Sequence, residues 1–85
     1  MSLYKKVKKI KGIIKIKVEG FFIERFVNLC LQKEVQIWEV ERLNEGSIKA
    51  KIFYNNLEIV RQIVETTHCK IEILEKTGVP FYMNR

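Results

Sequence analysis

The chain has 85 residues, enough for one small domain with a single core. Its 47% hydrophobic and 31% charged residues exclude a disordered chain, and no run approaches the roughly 20 apolar residues of a membrane-spanning helix. The net charge of +6 is unevenly placed, because seven of the 16 Lys and Arg residues lie in the first 17 residues, which hold no acid.

Residues 1–11 are predicted to form a flexible basic leader that ends at Gly12. Its five clustered lysines are Lys5, Lys6, Lys8, Lys9 and Lys11. A polybasic segment is attracted to anionic lipid head groups or to nucleic acid phosphates, and it can equally be a solvated tail. Charge alone leaves these alternatives open.

A strand and an amphipathic helix follow the leader. Apolar and polar residues alternate over Ile13–Glu19, which predicts a half-buried strand. Gly20 is expected to permit a sharp change of direction there. The next stretch, Gly20–Lys33, has a wide helical face of apolar residues at i, i+3, i+4 and i+7. That stripe consists of Ile23, Phe26, Val27 and Cys30, and the opposite side consists of Glu24, Arg25, Asn28 and Gln32.

Two strands joined by Asn44-Glu45-Gly46 predict a hairpin over Val35–Leu43 and Ser47–Tyr54. A three-residue loop places residues whose numbers sum to 90 opposite one another, with Gly46 in a left-handed conformation. This register puts Trp38 opposite Ile52 in the core. It also pairs Glu39 with Lys51 and Glu41 with Lys49 on the other face, so that opposite charges meet.

The second half repeats the helix–strand order. Asn55-Asn56 is a helix-start signal ahead of Leu57–Thr67, and Cys69–Glu75 alternates as a last strand. The sequence therefore predicts an α+β fold, a ferredoxin-like βαββαβ sandwich over residues 12–80. In this fold both helices cover one face of a four-stranded antiparallel sheet whose central strands are the first and third.

Several motifs in this order resemble the N-terminal region of the YqfD family of sporulation proteins. They are Gly20, Glu24-Arg25-Phe26-Val27-Asn28, Ile37-Trp38, Cys69-Lys70-Ile71 and Gly78-Val79-Pro80-Phe81. The resemblance implies a membrane-anchored protein of endospore-forming bacteria with no established catalytic activity. It also implies that residues 81–85 begin a linker toward a membrane segment absent from this chain. The positive-inside rule would then place the domain on the cytoplasmic side.

The residues offer little for catalysis or metal binding. There is no CxxC motif, and the only histidine, His68, has no aspartate in the chain to orient it beside Cys69. The stretch Glu19-Gly20-Phe21-Phe22 has one glycine and a carboxylate, whereas the phosphate loop of an acylphosphatase needs backbone donors. Glu24 and Arg25 have the pattern of a surface ion pair. We therefore expect no enzyme activity, no cofactor and no metal site.

The remaining candidates are binding surfaces. Glu24, Arg25 and Asn28 are predicted to contact a partner, or to tie the helix to the loop near Gly78. The expected function is a non-catalytic interaction and assembly domain, with an unknown protein partner or self-association and with the leader on an anionic membrane surface. The alternative is an RNA-binding module that uses the open face of the sheet. That face is predicted to carry one residue able to stack on bases, Phe53, together with Ile13, Lys15, Lys17, Lys49 and Lys51. Nucleic acid is disfavoured because glutamates should neutralise part of this surface.

Overall fold

The computed structural model describes residues 12–78, which form one antiparallel sheet covered by two helices. The elements in chain order are β1 (Ile13–Glu19), α1 (Ile23–Gln32), β2 (Ile37–Asn44), β3 (Ser47–Phe53), a 3-10 turn (Tyr54–Asn56), α2 (Leu57–Thr66) and β4 (Lys70–Thr77). The strand order is β2-β3-β1-β4, with β1 and β3 central as predicted. This confirms the α+β fold with βαββαβ order. The predicted leader and residues 79–85 lie outside the described residues.

The core lies between the helices and one face of the sheet. The central strands β1 and β3 turn every second residue toward the helices, as the alternation predicts, and Phe26 and Cys30 of α1 are fully buried against them. From α2, the buried residues are Val60, Ile63 and Val64. The sheet contributes Ile14, Ile16, Val18, Ile48 and Ile52. The predicted stripe of α1 therefore faces the sheet, and so does the apolar face of α2.

Both helices end with a non-glycine residue in the left-handed region. After α1, Glu34 has φ 60°, and the N–H of Val35 donates to the Cys30 carbonyl over 2.8 Å. After α2, His68 has φ 58°, and the N–H of Cys69 donates to the Val64 carbonyl over 2.9 Å. The N–H groups of Glu34 and His68 bond the carbonyls three residues earlier, which completes the Schellman pattern at each end. The backbone of His68 therefore forms part of the C-terminal cap of α2.

The predicted register of the hairpin is correct at Glu41 and Arg42 and wrong on either side of them. Glu41 pairs with Lys49 as predicted, but Trp38 pairs with Lys51 rather than Ile52. The strand bulges between these positions, where Glu39 has φ 51°. A bulge adds one residue to one strand, and a shift of one residue moves a side chain to the other face. Trp38 therefore lies on the open face of the sheet, not in the core.

The hairpin loop also differs from the prediction. Asn44 pairs with Ser47, so the connection is the two residues Glu45 and Gly46. The expected left-handed conformation at Gly46 is wrong, because Gly78 is the one glycine with positive φ among residues 12–78. Gly46 is needed for space instead: a Cβ atom there would lie 3.0 Å from the Gly20 carbonyl oxygen.

Candidate interaction surfaces

The sheet has two ends that carry different side chains. At one end Glu19 of β1 lies beside Ser47 and Lys70, next to the tip of the β2–β3 hairpin. We call this the hairpin end. At the other end Ile13 lies beside Phe53 and Thr77. The first and last described residues, 12 and 78, are next to these strand ends. We call this the terminal end. Helix α1 runs from the hairpin end to the terminal end.

The predicted contact residues of α1 are exposed, and one of them is tied to the hairpin. The Arg42 Nη2 atom lies 3.2 Å from Glu24 Oε2, and Arg42 Nη1 donates to the Glu45 carbonyl over 3.0 Å. Glu24 is therefore paired with Arg42 and not with Arg25 or with the loop near Gly78. Arg25 and Asn28 are exposed, and neither forms a side-chain hydrogen bond or ion pair with another residue of the described range.

Arg42 is a residue that the sequence analysis missed. It pairs with buried Ile48, so it lies on the helix-covered side of β2 at the edge of the sheet. An arginine at such a position can reach past the core to an acid on the covering helix, because its long side chain extends to the solvent. A charged residue assigned to the core-facing side of an edge strand is the signal that could have found this pair.

Two adjacent phenylalanines project from the turn between β1 and α1. Phe21 is 96% exposed and Phe22 is 53% exposed. Helix α1 begins only at Ile23, so both rings precede it. A shallow depression beside Phe21 is lined by Glu19, Asn44, Glu45, His68 and Lys70. The hairpin end therefore combines exposed aromatic surface with charged groups of both signs.

The open face of the sheet is a ladder of ion pairs. The predicted pairs are confirmed, with Lys51 Nζ 3.0 Å from Glu39 Oε1 and Lys49 Nζ 3.7 Å from Glu41 Oε1. The other two lysines of the central strands are also paired, Lys15 with Glu75 and Lys17 with Glu19, each at 3.6 Å. All four lysines predicted on this face therefore lie beside a carboxylate, which reduces its attraction for phosphate groups.

An aromatic pair lies on the open face at the terminal end. The ring centroids of Trp38 and Phe53 are 4.7 Å apart, with the planes inclined by 46°. This tilted packing is a favourable arrangement for two aromatic rings. Beside them lies a mostly apolar groove that also includes Leu31, Val35 and Ile37. The sequence analysis found Phe53 here but placed Trp38 in the core.

The cysteines and the histidine do not form a reactive group. Both thiols are buried and free, and burial raises the pKa of the Cys30 thiol to about 11. His68 is exposed at the end of α2, while the adjacent Cys69 is buried and its Sγ lies 3.7 Å from the Thr67 carbonyl. Within residues 12–78 no group of three or more His, Cys, Asp or Glu side chains could hold a metal ion.

Further observations concern the membrane and the leader. None of the helices in the described range is long and apolar enough to cross a membrane. The predicted membrane-contacting lysines Lys5, Lys6, Lys8, Lys9 and Lys11 lie outside the described residues, so their role stays a prediction.

The fold and its surfaces define a small α+β domain of the ferredoxin-like kind, whose described residues offer surfaces for contact. A family model described as "Putative stage IV sporulation protein YqfD" matches residues 8–85. The chain therefore belongs to the YqfD family, a sporulation-related family, as its motifs indicate. Comparison with curated proteins and with solved structures gave no match.

Proposed function

We propose that this chain is a non-catalytic interaction domain of a sporulation protein, and that the hairpin end binds a protein partner. The observation that carries the proposal is the exposure of Phe21, 96%, beside the half-exposed ring of Phe22. Aromatic side chains are enriched among the residues that dominate protein–protein binding, and they are unfavourable when left in water. The turn that carries the two rings is tied to the hairpin by the hydrogen bond from the Gly20 N–H to the Gly46 carbonyl, which limits the positions that the rings can take.

The charges around the rings favour a protein as the partner. Glu19, Glu45 and Lys70 line the depression beside Phe21, so both signs of charge occur close together. Protein interfaces combine an apolar centre with a polar rim, whereas nucleic acid and anionic lipid require a predominance of basic groups. Arg25 and Asn28 of α1 extend this surface with polar groups available for hydrogen bonds.

The proposal includes the cytoplasmic side of a membrane as the location of the domain. Its support is the family resemblance, which implies a membrane-anchored protein. A domain in this position would bring a partner from the cytoplasm to the membrane during sporulation.

The test is a cross-linking pull-down from sporulating cells with wild type and surface variants. Phe21→Ser and Arg25→Ala should each remove a captured partner without changing the thermal midpoint, because both side chains are exposed. Leu74→Ser is the matched control, since Leu74 is 40% exposed but lies on β4. Capture that survives Phe21→Ser, or turnover of an acyl phosphate or phosphodiester that is lost in Arg25→Ala, would refute the proposal.

Self-association is decided by the same variants. Sedimentation of the purified chain over a range of concentrations should show a monomer if the partner is a different protein. A dimer that Phe21→Ser dissociates would instead identify a second copy of this chain as the occupant.

RNA binding by the open face is the second candidate, because Trp38 gives that face a second aromatic ring beside Phe53. Single-stranded nucleic acid is held by stacking on such rings and by a basic groove. Here Lys49 and Lys51 are already paired with glutamates. Residues 12–85 should therefore show no sub-micromolar affinity for single-stranded RNA at physiological salt, and Phe53→Ala should have no effect on any residual binding.

A further inference from the structure

Exposed apolar side chains are concentrated on one side of the domain. Among residues 12–78, six large hydrophobic side chains are exposed, and five of them lie just before α1, on α1 or on β2; these are Phe21, Phe22, Leu31, Val40 and Leu43. The sixth, Leu74, lies on β4 at the opposite edge of the sheet. Single exposed apolar residues are ordinary on a protein surface, but several on one side indicate a contact.

A cleft between α1 and β2 runs along this side. Glu24 and Leu31 are seven residues apart on α1, so they lie on the same side of the helix. Both are beside β2, because Glu24 Oε2 is 3.2 Å from Arg42 Nη2 and Leu31 lines a groove together with Ile37. Val40 lies between Ile37 and Arg42 on the strand and is 49% exposed. We call this cleft, from Glu24 and Arg42 to Leu31 and Ile37, the edge cleft.

The helices leave this edge of the sheet uncovered. On β2, residues 39–44 are all exposed, although Arg42 lies on the helix-covered side of the sheet. On the opposite edge strand, β4, Ile71 and Ile73 are half-buried and pack against the core. The space beside α1 and over β2 is therefore open to a partner.

We propose, on the basis that the hairpin end binds a protein partner, that this partner lays an amphipathic helix in the edge cleft beside α1. The seven residues from Glu24 to Leu31 span about 10 Å, which is two turns of a helix. A partner helix with apolar residues at i, i+3 or i+4, and i+7 would place them along Val40 and Leu31. Phe21 and Phe22 would contact the same partner at the hairpin end.

The shape of β2 favours a helix over an added strand. Edge strands present unpaired backbone groups, and an extended segment can pair with them in a regular ladder. On β2, however, the register shifts between Trp38 and Glu41 and again between Arg42 and Asn44, and Glu39 has φ 51°. Such irregularities interrupt the row of backbone groups that an added strand needs. A helix satisfies its own backbone hydrogen bonds, so side-chain contacts are sufficient for it.

The charges beside the edge cleft favour a protein over nucleic acid. Exposed glutamates border it, with Glu24 on α1, Glu34 just after α1 and Glu41 on β2. The arginine of β2, Arg42, is already paired with Glu24. Phosphate groups require a predominance of basic side chains, which this edge of the sheet does not offer.

The test places benzoylphenylalanine, a photo-activated cross-linking residue, at single positions of the full chain in sporulating cells. Leu31 and Val40 are the positions in the edge cleft, and Phe21 is the position at the hairpin end. Leu74 on β4 is the matched control, because it is also exposed. We expect the two cleft positions to cross-link to one segment of the partner that position 21 captures, and position 74 to give no such product. Mass spectrometry of the cross-linked peptides would identify the segment.

A synthetic peptide of that segment would then be titrated with the purified 85-residue chain. It should carry apolar residues at helical spacing, and circular dichroism should show that it gains helix on binding. Leu31→Ser and Val40→Ser should each weaken its binding about tenfold, because each removes apolar surface that the complex buries. Both side chains are exposed in the free domain, so neither change should affect folding. Leu74→Ser should bind the peptide as wild type does.

The cross-links distinguish failure at the edge cleft from failure at the hairpin end. If position 21 captures a partner and positions 31 and 40 do not, the hairpin end remains a binding surface and the edge cleft is refuted. If position 21 captures nothing, the proposed function fails, and the assignment of the cleft to the same partner fails with it. A captured segment that binds as an extended strand, a segment of a second copy of this chain, or a cross-link to RNA alone would each overturn the proposal of a partner helix.

Discussion

The backbones of Gly20 and Gly46 lie in direct contact at the hairpin end. The Gly20 N–H donates to the Gly46 carbonyl over 2.9 Å, and a Cβ atom on Gly46 would lie 3.0 Å from the Gly20 oxygen. Gly20 is enclosed on its other side as well, because its Cβ position is 2.7 Å from the Cys69 Sγ and 3.0 Å from the Cys69 Cα. This contact joins the β1–α1 turn to both the hairpin and the start of β4, so it fixes the base from which Phe21 projects.

Gly20→Ala should lower the free energy of unfolding by about 1–3 kcal/mol, since the added methyl group must displace side-chain and backbone atoms of Cys69. Denaturant unfolding would measure the change. In a Cys69→Ala background the cost should shrink, because the Sγ atom is gone, but it should not vanish while the Cα atom remains. An equal cost in both backgrounds would mean that the thiol does not limit the space at Gly20.

Phe26→Ala should be the most damaging of the truncations on α1. Phe26 is fully buried, and removing a buried phenylalanine costs about 3–5 kcal/mol through lost burial and the cavity left behind. Such a loss is a large part of the stability of a domain this small. Phe21→Ala is the control and should change stability by about 0.5 kcal/mol or less, because Phe21 is 96% exposed. A shift of only a degree or two in the Phe26→Ala melting midpoint would contradict the packing of this helix.

Periodicity predicted the elements and the buried stripe of α1, and the topology of the βαββαβ fold predicted the central strands. It succeeded because Ile14, Ile16 and Val18, like Ile23, Phe26 and Cys30, are fixed to one face by their spacing. Trp38 was assigned to the wrong face because a bulge adds a residue to one strand without altering the local pattern of apolar and polar residues. The position of the bulge depends on how the two strands pair, which this pattern does not show. Alternation predicts faces only where the register is regular.

The candidate surfaces were harder to predict than the fold. Phe21 and Phe22 have an apolar composition that normally indicates burial, and only the start of α1 at Ile23 reveals that they project from a turn. The Glu24–Arg42 pair depends on two residues 18 positions apart, whose meeting requires the sheet to be assembled. The confirmed pairs, Glu39–Lys51 and Glu41–Lys49, were predictable because the hairpin is local in sequence.

Glu34→Gly should stabilise the domain by about 0.5–1 kcal/mol. Glu34 has φ 60°, a conformation that is costly for a residue with a Cβ atom and free of that cost for glycine. Part of this gain is offset by the greater freedom of glycine in the unfolded chain. Glu45→Gly is the control, because Glu45 is exposed and has no positive φ, so that substitution should be neutral or destabilising. The melting midpoint should therefore rise for Glu34→Gly, and it should fall or stay unchanged for Glu45→Gly.

The pH dependence of stability should reveal the burial of Cys30. Its pKa is raised by burial from 9.0 to about 11, so the unfolded chain loses the thiol proton at a lower pH than the folded domain does. Stability from this group is fully present below about pH 9 and is lost as the pH rises through about 11. In that range wild type should lose up to about 1.4 kcal/mol per pH unit more than Cys30→Ala does, whatever the other groups contribute. Equal slopes in the two proteins would show that Cys30 is not shielded from water.

The Glu24–Arg42 pair should contribute to stability only modestly, and Arg25 should not contribute at all. The two paired side chains are 75% and 51% exposed, and exposed ion pairs at 3.2 Å are worth about 0.2–1 kcal/mol. A double-mutant cycle with Glu24→Gln and Arg42→Gln should give a coupling of that size, which falls as salt is added because screening weakens exposed pairs. Arg25→Gln is the matched control on the same helix and should show no coupling with Arg42→Gln. A negligible coupling would contradict a stabilising role for this pair. If Glu24→Gln then also removed partner capture, Glu24 would be a residue that contacts the partner, not one that holds the hairpin against α1.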